Sequence, residues 1–159
     1  MNEPVKASWR KSLHGAPAKW RRRNRTERML LLEAFLLLGL ARLGVIILPF
    51  RWLAKSLGKH MKEDQTPLLP ADLKLSRLVG AAVRSAANYT PWGSVCLPQA
   101  VAAKWMLQRR NIPGTVYLGV MKDKTKPEKL AAHAWLRCGN IILTGAKGHR
   151  QYTVVSTFS

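Results

Sequence analysis

Acidic residues are scarce in this chain. Only 8 Asp and Glu stand against 27 Lys and Arg, giving a formal net charge of +19 over 159 residues. Such an excess draws polyanions: nucleic acid, an acidic leaflet, or an acidic protein or peptide. No Asp or Glu follows Glu128, so the C-terminal part has no carboxylate of its own. The 2 cysteines cannot build a disulfide framework, and lone thiols suit a reducing cytosol better than secretion. Their separation alone leaves pairing of Cys96 with Cys138 open. The 4 histidines are scattered and form no close Cys/His pair, so neither a metal nor another cofactor is expected. There is no phosphate-binding glycine loop and no internal repeat.

An uninterrupted long apolar run is also missing. Met29 to Leu48 comes nearest, and its basic flank imitates a signal anchor. Glu33 and Arg42 interrupt it, each costing about 2.5–3.5 kcal/mol at a bilayer centre. We therefore expect a buried or interfacial helix rather than a span. No small-residue cleavage site follows, which argues against secretion. Apolar residues still make up 47% of the chain, enough for a packed core.

The chain divides by composition into a basic arm over 1–28, an apolar helical segment over 29–66 and a domain over 67–159. Pro67, Pro70, Glu63, Asp64 and Asp72 mark the break. Apolar positions 75, 78, 79, 82, 83 and 86 predict a helix over 73–87. After the loop at Asn88 to Gly93, a second helix is expected from about Ser94–Pro98 to Arg110. Cys96, Ala100, Ala103 and Leu107 share its inner face, with Lys104, Gln108, Arg109 and Arg110 outside. Strands follow at 115–121, 131–138, 141–144 and 151–158, with Gly139-Asn140 as a two-residue hairpin turn. One helix followed by an antiparallel sheet is an α+β arrangement.

The residues that carry chemistry are Cys96, where a turn runs into a helix, and His133, in the strand Ala131 to Cys138. A thiolate gains from the positive end of a helix and from an adjacent imidazole, since both favour its charged form. First-turn N–H groups can also hold an oxyanion. The plainer reading makes Cys96 a small buried hydrophobe and His133 a strand residue satisfied by a backbone carbonyl. A third group should orient the imidazole. Thr144, which the hairpin register sets diagonally across from His133, and Asn140 are candidates; so are Asp123, Asp72 or a backbone carbonyl. Trp92 and Trp135 either wall a substrate cleft or belong to the core. Arg137 and Lys147 suit its rim, while Cys138 and His149 read as structural or surface residues.

The run Thr90-Pro91-Trp92, Cys96-Leu97, Gln99-Ala100, Ala103, Leu107-Gln108-Arg109-Arg110, Ile112-Pro113 and Tyr117-Leu118-Gly119-Val120 resembles the leader peptidase of lasso peptide biosynthesis. Ala132-His133-Ala134-Trp135-Leu136-Arg137-Cys138-Gly139, Thr144-Gly145 and Tyr152-Thr153-Val154-Val155 with Phe158 continue it, over about residues 73–159. The Cys and His-Ala-Trp elements are shared across transglutaminase-like thiol enzymes. The resemblance implies a papain/transglutaminase-like core, a catalytic helix packed on an antiparallel sheet, preceded by the apolar helical segment. It implies Cys96 as nucleophile and His133 as general base; the Asp that usually follows the His is replaced here by Thr144-Gly145. It further implies a stand-alone protease half that removes the leader of a lasso precursor peptide, beside a separate leader-binding protein and a lasso cyclase. The expected location is cytoplasmic, with peripheral membrane contact and no specific nucleic-acid partner. The rival readings are acyl transfer through the same pair and a non-catalytic basic module binding membrane or nucleic acid.

Overall fold

The computed structural model describes residues 23–91, 95–122 and 130–159. Among them, four helices precede and support a four-stranded sheet: α1 (Arg25–Ile47), α2 (Phe50–Leu57), α3 (Pro70–Ala87), α4 (Cys96–Gln108), β1 (Thr115–Lys122), β2 (Leu130–Cys138), β3 (Ile141–Thr144) and β4 (Thr153–Phe158). A 3-10 turn at His149–Gln151 leads into β4. The spatial order is β3-β2-β1-β4, antiparallel throughout. This is the expected helix-and-antiparallel-sheet class.

The first helix starts at Arg25, inside what the sequence reads as the basic arm. Its start is fixed by a capping box: the Asn24 side chain accepts from the Glu27 N–H, and Glu27 accepts from the Asn24 N–H. Leu30, Ala34, Leu37, Leu38 and Ala41 form its buried stripe, and they pack with α3 and α4. The apolar segment therefore belongs to the same core as the residues after Pro67. Glu33 does not stay in solvent. It pairs with Arg110 at 2.6 Å, at the far end of α4, and lies 3.5 Å from Arg109.

On α3, small residues set the layer spacing. A Cβ at Gly80 would lie 3.1 Å from Leu143, so the glycine admits β3 close to the helix axis, where Arg84 donates to the Leu143 carbonyl. On α4, Ala100, Val101, Ala102, Ala103, Met106 and Leu107 are all buried, because the helix is sandwiched between α1 and α3 on one side and the sheet on the other. That sandwich overturns one expectation: Lys104 is not on an outer face. It is 4% exposed, and its ammonium donates to the Gly114 carbonyl at 2.7 Å. Burial pushes this ammonium below the ordinary lysine range, with Asp64 and Cys138 pulling the other way.

Cys138 is a free, buried thiol that donates to the Pro113 carbonyl at 3.0 Å; Cys96 is also free. Two side chains thus hold the Pro113-Gly114 link that turns α4 into β1. Burial pushes the Cys138 thiol above its ordinary range, and a hydrogen bond from Ser76 opposes this. A thiol that keeps its proton longer when folded contributes stability below pH 9.0 and loses it as pH rises past that value. Lys104 acts with the opposite sign, since its folded form releases its proton more easily. Comparison with Cys138→Ala cancels the burial of Lys104 and leaves the thiol together with its coupling to that ammonium. In urea melts, wild type should lose stability relative to Cys138→Ala as pH rises from about 8 to about 10. Parallel curves would refute the assignment.

Candidate active site

Cys96 is the first residue of α4, half-buried and packed against the core cluster. Val95 precedes it with no side-chain capping hydrogen bond. Among the described residues the first-turn N–H groups are thus not taken up by a side-chain cap, and Pro98 has none to offer. The amides of Cys96 and Leu97 remain as donors beside the sulfur, where an oxyanion would need them.

His133 sits four residues into β2, opposite Gly119 of β1. Its Nε2 lies 2.8 Å from the Gly145 carbonyl oxygen. A carbonyl only accepts, so in the neutral ring Nε2 carries the hydrogen and Nδ1 is left with a lone pair. The ring is also held by aromatics: Tyr152 at 5.0 Å and Trp135 at 5.9 Å between centroids. Trp135 in turn stacks on Tyr117 at 5.5 Å, with the rings 2° from parallel, and its other neighbour is His149. A Cβ at Gly119 would strike both the Trp135 ring and Tyr152; the bare glycine makes the slot in which these rings sit.

The strand alternation decides which side each residue serves. Ala134 and Leu136 join the core cluster with α4, while His133 and Trp135 face Tyr117 and Tyr152 on the reverse of the sheet. Among the described residues no hydrogen bond joins Cys96 to His133. Leu107 of α4 and Leu136 of β2 both flank Gly114; Cys96 lies about 16 Å along α4 from the one, and His133 about 10 Å along β2 from the other. At its N-terminal end β2 outruns its neighbour: β3 stops at Thr144, paired with Leu136, so among the described residues Leu130 to Ala134 have no strand on that side. Gly145, whose carbonyl holds the imidazole, lies at this open edge.

Both side chains expected to orient the imidazole are placed elsewhere. A bulge between Leu136 and Arg137 shifts the hairpin, so Thr144 pairs with Leu136 and is buried on the α4 side of the sheet. Its Oγ1 is buried without a hydrogen-bond partner. Asn140 is exposed in the hairpin turn, at the opposite end of β2 from His133. What the imidazole bonds is the Gly145 carbonyl, a backbone group of the kind the sequence reading also allowed. Trp135 is 5% exposed and is a packing residue, not an open cleft wall. Trp92 and Asp123 lie outside the described residues, and Asp72 occupies the first turn of α3. Arg137 is exposed at the far end of β2, donating to the Gly139 carbonyl, and His149 is bonded to the Ala146 carbonyl through Nδ1. Among the described residues, no three His, Cys, Asp or Glu side chains gather as metal ligands would.

The family model described as the transglutaminase-like superfamily matches residues 44–157, from within α1 to the last strand. The chain belongs to the transglutaminase-like superfamily. That superfamily generally comprises cysteine peptidases and acyltransferases, and both run through a thiol and an imidazole. The matched span holds Cys96, His133 and Gly145 together with the sheet up to Thr157. No curated protein and no solved structure matches the chain.

Proposed function

We propose that this protein is a cysteine peptidase that removes the leader from a ribosomally made lasso precursor peptide. The observation that carries the reading is the Nε2 bond of His133 to the Gly145 carbonyl at 2.8 Å. It leaves Nδ1 as the basic nitrogen, in a chain whose Cys96 opens a helix. Catalysis requires the ring, hinged on Gly145, to reach Cys96 from the reverse face of the sheet. Nδ1 then takes the thiol proton, and the thiolate attacks the carbonyl at the leader–core junction. The amides of Cys96 and Leu97 hold the oxyanion while the imidazolium returns its proton to the departing core amine. Water, deprotonated by the same ring, releases the leader as a free acid. The partners are the precursor, a separate leader-binding protein and an ATP-using cyclase that accepts the freed amine.

The reading is tested by reconstitution. Incubating the purified chain with precursor and leader-binding protein should yield two peptides whose masses sum to the precursor plus one water. Adding a primary amine separates hydrolysis from acyl transfer: an amide adduct replacing the free acid would make the protein a transferase, and an intact precursor would overturn the assignment.

A further inference from the structure

The outward face of α1 carries the strongest unexplained signal in the structure. Every exposed side chain from Met29 to Phe50 is apolar. Leu36 is 68% exposed, Ile46 64% and Ile47 69%. Neither ionisable residue of this stretch is among its exposed side chains: Glu33 turns inward to Arg110, and Arg42 is half-buried, its Nε among the fully buried atoms. A continuous apolar patch of this length exceeds what a monomeric soluble surface ordinarily shows. By length and composition α1 could also cross a bilayer. Its inner stripe, however, is committed to α3 and α4, so spanning would tear Leu30, Leu37 and Leu38 out of the core.

Charge indicates what covers the patch. Arg25 and Arg28 stand at one end of the stripe, and Arg51, Lys55 and Lys59 at the other. Glu27, held in the capping box, is the one acid in the first turn of α1. Trp52 is 59% exposed, with the Lys55 ammonium 5.7 Å from its ring centroid. Bare apolar length, basic groups at both ends and an exposed indole beside a lysine are the features of a helix lying in a membrane interface. The chain's net charge of +19 adds attraction toward anionic headgroups. We propose that α1 and α2 form an in-plane docking face for an anionic lipid leaflet, with α1 half-sunk in the interface and its inner stripe still in the core.

Flotation of the full chain with vesicles tests this independently of any peptidase activity. Vesicles containing phosphatidylglycerol should carry the protein at least about tenfold better than pure phosphatidylcholine. The variant Leu36→Glu/Ile46→Glu/Ile47→Glu should lose flotation with both while keeping the wild-type circular dichroism. Arg51→Gln/Lys55→Gln/Lys59→Gln should lose most of the anionic preference. If the Glu variant misfolds, Leu36→Ser/Ile47→Ser replaces it, with a weaker loss expected. Three results would overturn the proposal: binding unaffected by the α1 substitutions and abolished by about 0.5 M salt, which marks diffuse charge alone; no binding to either vesicle; or a dimer in solution that the Glu variant dissolves, which makes the face an interface between copies.

Discussion

Cys96→Ala is expected to abolish precursor cleavage, lowering the rate at least about 10³-fold, while leaving the chain folded. The asymmetry follows from position. The sulfur is half-buried at a helix start, where the fold asks only for a small side chain, and the alanines behind it show that alanine packs on this face. Stability should change by less than about 1 kcal/mol. Cys96→Ser is the stricter variant, since it keeps the shape and a proton to remove but replaces the sulfur by a much weaker nucleophile. Timed mass spectrometry of the precursor, alongside thermal melts, reads both effects. Cleavage by Cys96→Ala at near wild-type rate would remove the nucleophile from the account.

The second large effect is expected at a residue with no side chain. Gly145 has φ +70, and a Cβ there would collide with the Ala134 carbonyl oxygen and the Trp135 backbone. Alanine in this left-handed conformation costs about 1–2 kcal/mol before any collision is counted. The collision forces the backbone to move, and the carbonyl that fixes His133 moves with it. Gly145→Ala should therefore destabilise by roughly 1–3 kcal/mol and cut kcat by about 10²-fold or more, the usual worth of a positioned base. Gly148 supplies the control. It has φ +78 but nothing within 4 Å of its would-be Cβ, so Gly148→Ala should carry the conformational cost alone and keep its activity. Equal activity in the two variants would show that the carbonyl does not position the ring.

Much of the framework was legible because local chemistry and global fold agree. Gly139-Asn140 fixed the hairpin, and Ile141–Thr144 appears as read, since a two-residue turn leaves little freedom. The stripe 75–86 became the buried face of α3 for the same reason. What failed was what depends on tertiary context. Lys104 looks like a surface residue on a helical wheel, yet α4 has layers on both sides and a carbonyl at hand. The bulge beside Leu136 has no sequence signature, and it moved Thr144 from His133's face to the opposite one. The start of α1 could have been found: Asn24 followed by Glu27 is a capping-box pattern, hidden by the surrounding arginines.

In the candidate site, Cys96 and His133 stood out by residue type and local context. The Gly145 carbonyl did not, because a backbone acceptor leaves no trace in side-chain identity. Nor could the sequence say that β2 would outrun β3 beside His133 among the described residues.

The central claim is that His133 activates Cys96, and alkylation kinetics address it without any partner protein. The chain's other thiol, Cys138, is fully buried, so iodoacetamide at neutral pH reads Cys96. The account predicts that His133→Ala slows modification of Cys96 by about tenfold or more, with the melting curve little changed. Equal alkylation rates in wild type and His133→Ala would show that the imidazole never reaches the sulfur.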